Sequence, residues 1–231
     1  MTTTFITGAN KSLGYETARR LIELGHSVVL GARDVRRGQE AADALGARFV
    51  QIDVTNDASV TAAAANVAEH EGHLDVLINN AGVSGGQTPV DDIIAADAWT
   101  VYDTNVVGVV RVTTAFLPLL HKSASPVVVN VSSGMGSFGR THQTDRLESK
   151  FAAPIYTSSK AALTMLTTQY AKALPEMRIN AADPGFTATD MNNHRGTQTV
   201  TEGTDAIVAL ATIGPDGPSG TFQDREGPVP W

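Results

Sequence analysis

The sequence contains no cysteine. That absence removes disulfides, thiolate metal sites and thiol nucleophiles, and leaves any chemistry to hydroxyl, carboxyl, imidazole and amine groups. No apolar run approaches the roughly 20 residues that cross a bilayer. Basic residues are the minority, 17 against 24 acidic, for a net charge of -7. They form no tract interleaved with aromatics, so neither a sequence-blind nucleic-acid binder nor a membrane protein is expected. The opening residues, MTTTFITG, lack the basic stretch and apolar core of a secretory signal. A cytoplasmic location is the resulting expectation.

The 231 residues suit one sizeable domain, and no linker, internal repeat or low-complexity block divides them. Short apolar runs alternate with amphipathic stretches. Strands are predicted at residues 3–7, 27–32, 48–54, 74–82, 126–133, 178–185 and 220–224. Helices are predicted at 14–24, with Gly25 as a stop, and at 36–45, 58–71, 98–120, 156–174 and 202–211. Such alternation predicts an α/β fold: a single Rossmann-type, doubly wound domain over 1–231, with a mostly parallel seven-stranded sheet and helices on both faces. Residues 136–154 and 186–201 fit neither pattern. Long irregular segments in a compact domain are commonly binding loops, so these two, with the loop after Gly82, are expected to line a substrate site.

The stretch TGANKSLG, residues 7–14, joins the first strand to the first helix. Read alone it is either a surface turn or a phosphate cradle, in which glycines admit the backbone closely and the helix N-terminus offers free N–H groups. NNAG (79–82) is by itself only a strand-end turn, and Asp53 a cap or a solvated carboxylate. Tyr156 and Lys160, four apart in a helical stretch, share one face. A cation there lowers the pKa of a phenol and fits it for proton transfer near neutral pH. Ser133 ends the fifth strand, where ligands bind in such sheets. Alternation lets only one of Ser132 and Ser133 point at a site.

TGxxxGxG at the front, NNAG after the fourth strand, a serine on the fifth, YxxxK and a later PG occur here in order. Together they resemble the short-chain dehydrogenases/reductases, and TGANK with VVLGARD resembles their carbonyl-reductase-like branch. Ser12 departs from the pattern, which has a glycine there; serine caps helices and offers a hydroxyl to phosphate. The resemblance implies that Gly8, Asn10, Lys11, Ser12, Leu13 and Gly14 hold a pyrophosphate, that Asp53 and Val54 face adenine, and that Asn80, Ala81 and Gly82 line the cofactor. It implies Tyr156 as general acid, Ser133 polarising a carbonyl, Lys160 holding the nicotinamide ribose as well, and Asn105 in a proton relay. Pro184, Gly185, Thr187 and Thr189 are implied around the nicotinamide and phosphates.

NAD enzymes usually end the second strand with an acidic residue. Here Ala32 stands in that place and Arg33 follows, with Lys11 as a second cation. A guanidinium forks onto a phosphate and an ammonium acts as a point charge, which predicts NADPH/NADP+. Asp34 is a competing partner for Arg33. The expected activity is NADPH-dependent reduction of a small-molecule ketone or aldehyde, with a non-catalytic NADP(H)-binding sensor as the alternative. No metal is expected. Monomer and homodimer both stay open, as does whether the terminal GPVPW docks on the core or edges a pocket.

Overall fold

The computed structural model describes residues 1–86 and 88–231. Among them, eight strands form one sheet: β1 (Thr3–Thr7), β2 (Ser27–Ala32), β3 (Arg48–Gln51), β4 (Val76–Asn79), β5 (Val127–Val131), β6 (Arg178–Ala182), β7 (Phe222–Asp224) and β8 (Gly227–Pro228). Their order is β3-β2-β1-β4-β5-β6-β7-β8, and every neighbouring pair is parallel except β7 and β8. The chain winds outward in both directions from β1 and β4. A crevice opens where such an order reverses, at the carboxyl ends of those two strands.

The helices are α1 (Ser12–Glu23), α2 (Val35–Leu45), α3 (Asp57–His70), α4 (Ala95–Tyr102), α5 (Gly108–Leu120), α6 (Phe138–Thr141), α7 (Pro154–Ala173), α8 (Val200–Gly203) and α9 (Asp205–Ala211). Alternate residues of each strand feed opposite faces. In β1, Ile6 packs with Ala18 and Leu21 of α1, Ala42 of α2 and Ile207 of α9. Phe5 packs the other way, among Val60 and Val67 of α3 and Phe116 of α5, its ring 4.6 Å from that of Phe116. Being covered on both faces explains why the strands read as continuous apolar runs.

Four expectations change. The sheet has eight strands, because the chain turns back after β7 and adds β8 antiparallel. The helix expected at 98–120 begins at Ala95 and passes through a π-helical turn at Asp103–Val107 before α5. The helix expected at 202–211 starts at Val200, where Thr199 and Glu202 form a capping box, and divides at Thr204. Strands β3, β4, β5 and β6 stop two to three residues before the expected ends, since those residues leave the ladder to build the loops described below.

Residues 136–154 are not featureless: they contain α6 and a 3₁₀ turn at Leu147–Ser149. The C-terminal tail docks on this segment. Gly139 N–H donates to the Trp231 carbonyl (2.8 Å), Ser137 Oγ to the Pro230 carbonyl, and the Trp231 ring lies 5.9 Å from that of Phe222. Gly139 has to be glycine, because a Cβ would lie 2.8 Å from Pro230 Cβ. Of the loop after Gly82, residue 87 lies outside the described residues. Among the described residues no helix is long and apolar enough to cross a membrane.

Candidate active site

The ends of β1 and β4 are built as one unit. Thr7 Oγ1 accepts the N–H groups of Asn80 and Ala81, both at 3.0 Å. Asn80 Nδ2 donates to the carbonyls of Thr7 (2.8 Å) and Gly8 (3.1 Å). Gly8 adopts φ +66°, and its Cβ position lies 3.0 Å from Ala81 Cα. At Gly14 a Cβ would lie 2.5 Å from Asn80 Nδ2 and 2.6 Å from the Gly8 carbonyl. So the glycines let the first turn of α1 sit directly over this junction. The first N–H groups of a helix have no intrahelical partner, and they carry its positive end.

Ser12 adopts φ +49°. That is the left-handed region, where glycine is at ease and a residue with a Cβ is strained. The expectation that Ser12 caps α1 is corrected: a cap is normally extended, and the cap position belongs to Lys11, whose side chain makes no capping bond. Lys11 also makes a contact that the sequence does not announce. Its Nζ donates to Asp190 Oδ2 at 2.7 Å, in the segment after β6.

At the end of β2, Ala32 is buried and Arg33 is exposed. Arg33 makes no ion pair among the described residues; Asp34 instead caps α2 by accepting from Arg37 N–H (2.9 Å). The Asp53 carboxylate accepts from Thr55 N–H (3.0 Å) and Thr55 Oγ1 (2.7 Å), which shapes the turn into α3, and Val54 is buried beside Gly108.

Strand β5 and helix α7 bring Ser133, Tyr156 and Lys160 together. Ser132 is turned away, its Oγ donating to the Lys160 carbonyl at 3.2 Å. Ser133 faces the Tyr156 phenol. Lys160 is buried, donates from Nζ to the Val131 carbonyl (2.8 Å), and sits 5.8 Å from the Tyr156 ring centroid. Gly82 keeps this space open, since a Cβ there would lie 3.3 Å from Asn105 Oδ1 and 3.5 Å from Lys160 Nζ. Asn105, in the π-helical turn, accepts from Val83 N–H and donates to the Val83 carbonyl, both at 2.9 Å, and to Ser159 Oγ at 3.0 Å. It thus ties the loop after β4 to α7.

The electrostatics reverse one expectation. Burial pushes the Tyr156 phenol up to about 12, with Asp183 adding to the rise and Ser133 opposing it. Burial also brings Lys160 down to about 8, against the pull of Asp183. At neutral pH the phenol therefore keeps its proton and the amine keeps its charge. The expected lowering of the tyrosine is not what its surroundings produce: desolvation dominates and only the Ser133 hydroxyl opposes it.

After β6, Gly185 adopts φ +67° and Thr187 Oγ1 donates to the Pro184 carbonyl at 2.7 Å. Thr187 and Thr189 are both buried. Residues 186–201 fold back on themselves, with Ala188 N–H donating to the Gln198 carbonyl (2.9 Å) and Gln198 N–H to that of Phe186 (3.1 Å). The flap abuts α1 through α8, where a Cβ on Gly203 would lie 2.9 Å from Leu13 Cδ2.

Several residues near the site escape the sequence reading. Asn79 Nδ2 donates to Asn130 Oδ1 (2.9 Å) and Asn130 Nδ2 to Thr167 Oγ1 (2.9 Å), a buried polar chain from β4 through β5 to α7. An asparagine inside an apolar strand is the signal for it. Arg140 reads as one more polar loop residue, yet it is 5 % exposed and paired with Asp183 and Asp224. His142 is local: its Nδ1 lies 2.7 Å from the Phe138 carbonyl. A cavity of about 350 Å³ lies between α6, the 3₁₀ turn and α7, lined by Met135, Phe138, Phe151 and Thr157 among others; Ser133, Tyr156 and Lys160 do not line it. No metal-binding cluster of His, Asp or Glu occurs among the described residues.

A family model described as short chain dehydrogenase matches residues 2–199. A (+)-neomenthol dehydrogenase of Capsicum annuum is 30% identical, over 96% of this chain and 95% of its own. The structure of NADPH-bound carbonyl reductase from chicken fatty liver superposes with a TM-score of 0.88 at 31% identity, covering 99% and 98% of the two chains. Salutaridine reductase from Papaver somniferum superposes with a TM-score of 0.85 at 30% identity, covering 96% and 99%. The match spans the glycine loop, the NNAG junction and the Ser133, Tyr156 and Lys160 cluster, and the chain belongs to the short-chain dehydrogenase family.

Proposed function

We propose that this enzyme is an NADPH-dependent carbonyl reductase, acting reversibly on a ketone or aldehyde, with Tyr156 as general acid and base. The observation that carries the reading is the convergence of Ser133, Tyr156 and Lys160, with Lys160 Nζ on the Val131 carbonyl and 5.8 Å from the Tyr156 ring centroid.

The residues present fit a dinucleotide phosphate. Gly8 and Gly14, where a Cβ would meet Ala81, Asn80 and the Gly8 carbonyl, let the first turn of α1 close onto the junction, and its N–H groups would hold a pyrophosphate next to Asn10, Lys11, Ser12 and Leu13. Arg33, exposed and without an ion pair among the described residues, is the group to read a 2′-phosphate. Asp53 and Val54 would flank the adenine, Asn80, Ala81 and Gly82 the ribose side, and Pro184, Gly185, Thr187 and Thr189 the nicotinamide side. Bound NADPH supplies the hydride. The Ser133 hydroxyl donates to the carbonyl oxygen and orients it. Tyr156 passes its phenolic proton to that oxygen as the alcohol forms. Lys160, held by the Val131 carbonyl, stabilises the phenolate left behind and, with Asn105 holding the loop at Val83, returns a proton to it. Residues 136–154 and 186–201 would bound the substrate.

The test begins with titration of purified protein with NADPH and NADH by nicotinamide fluorescence. A panel of ketones and aldehydes follows, run on wild type and Tyr156→Phe. Tight NADPH binding, weak NADH binding and turnover lost in Tyr156→Phe are expected. Binding without turnover across the panel would leave a cofactor sensor; near-normal turnover in Tyr156→Phe would remove the proton donor.

A further inference from the structure

Beneath the Ser133–Gly134 turn lies a buried charge cluster that the reaction just described does not use. Asp183, 3 % exposed, ends β6 directly before Pro184 and Gly185. Its carboxylate accepts from Gly185 N–H at 2.9 Å and from Gly134 N–H. Arg140 of α6 places Nη1 2.6 Å from Asp183 Oδ2 and 3.5 Å from Glu148 Oε1, and donates from Nη2 to Asp224 of β7. Glu148 is held in turn by Arg146 at 3.3 Å. The packing leaves no slack. A Cβ on Gly134 would lie 2.7 Å from Asp183 Oδ2, 2.7 Å from Glu148 Oε1 and 3.1 Å from Arg140 Nη1.

Two consequences follow. The cluster joins the backbone that presents Ser133 to the segment before Tyr156, to β7 and, through the adjacent bonds of Ser137 and Gly139, to the C-terminal tail. It also sets a fixed charge beside the reacting pair. The ionisable groups that face Tyr156 are Lys160 on its own helix and Asp183 from the end of β6. Those that face Asp183 are Arg140 from α6, Glu148 from the 3₁₀ turn and Asp224 from β7. Burial, with Asp224 adding to it, pushes the Asp183 carboxyl up, and the two backbone N–H groups and the guanidinium oppose the rise. An arginine is always charged, so it works against protonation of its carboxylate partners.

We infer that Arg140 and Asp183 are positioning residues: their buried ion pair holds the turn that presents Ser133 and keeps the Asp183 carboxylate charged beside Tyr156 and Lys160 during carbonyl reduction. The inference rests on the proposed reaction. Its signature is a shared direction. Removing the carboxylate withdraws negative charge from both reacting groups, so both release protons more easily. Removing the guanidinium lets burial and Asp224 protonate Asp183, so the same negative charge is withdrawn.

The experiment is the pH profile of kcat/KM for reduction, with NADPH and the carbonyl compound of the panel that wild type turns over fastest. Activity falls on the alkaline side as the Lys160–Tyr156 pair loses its first proton. In Asp183→Asn that limb is expected to move down by about one pH unit, a roughly tenfold change in the proton concentration at which activity halves. In Arg140→Gln it moves down as well, and in Arg140→Lys it returns towards wild type. NADPH affinity, read by fluorescence, stays within about threefold in each. Should Arg140→Gln fail to fold, Asp224→Asn replaces it; the guanidinium is then left to Asp183 and the limb moves down by less than in Asp183→Asn. Unmoved limbs in folded variants, or limbs of Asp183→Asn and Arg140→Gln moving in opposite directions, overturn the inference alone. Absence of turnover by wild type overturns the proposed reaction and the inference with it.

Discussion

Lys11 Nζ lies 2.7 Å from Asp190 Oδ2, a contact between residues 179 positions apart that joins the first turn of α1 to the flap after β6. Asp190 is also met by His194 Nε2 at 3.0 Å. The pair ties the flap to the glycine loop, a latch between the two segments.

The Lys11 hydrogen bond, followed by its charge, keeps the Asp190 carboxyl below the ordinary range. A lowered carboxyl pKa means the contact is intact above the ordinary carboxylate range and is lost as pH falls through the folded value. At neutral pH the latch is therefore closed and is weakened by salt rather than by protons. Asp190→Ala is expected to raise the NADPH dissociation rate by about threefold to tenfold in stopped-flow fluorescence, since an exposed pair is modest in strength. An unchanged rate would mean the flap is held elsewhere.

Arg33, at the end of β2, makes no ion pair among the described residues, and Asp34 caps α2 instead. Arg33→Ala is expected to weaken NADPH by about tenfold to a hundredfold, the range of a lost charge-assisted contact, and to leave NADH nearly unchanged. Equal losses for the two cofactors would show that Arg33 does not read the 2′-phosphate.

Ser12 holds a left-handed backbone that glycine adopts without strain. Ser12→Gly is expected to stabilise the protein by about 0.5–1 kcal/mol, raising Tm by about 2–4 °C. Thermal denaturation checks this, and a lower Tm would show that the serine hydroxyl contributes more than the backbone strain costs.

Lys160 has a folded pKa of about 8 against an ordinary 10.5. Between those values the unfolded chain binds more protons than the folded one, so stability contributed at this residue rises with pH. The burial of the cation costs on the order of 3 kcal/mol at neutral pH. Lys160→Met is expected to lose turnover, and its stability advantage over wild type should shrink as pH rises from about 8 to about 10. A pH-independent gap in denaturation midpoints would contradict the lowered pKa.

Much of this molecule is local, and the local part was legible. The parallel sheet followed from apolar runs alternating with amphipathic stretches, because a strand covered on both faces has no polar side to show. Tyr156 and Lys160 share a face by helical spacing alone, and Gly8 and Gly14 announce a close backbone approach by having no side chain. What the sequence did not carry are relations across long separations and the effect of burial on charge. Arg140 reads as a solvated loop cation until α6 turns it onto Asp183 and Asp224, 43 and 84 residues away. Lys11 reads as a phosphate ligand, and nothing in its surroundings announces the Asp190 that the flap brings to it. Tyr156 beside a lysine reads as an acidified phenol until desolvation, which depends on everything packed around it, raises it instead. Spacing and residue type determined which groups this chain has and which neighbours share a face; only the tertiary structure decided which charges meet and how much water they keep, because both depend on segments that touch only after the sheet has formed.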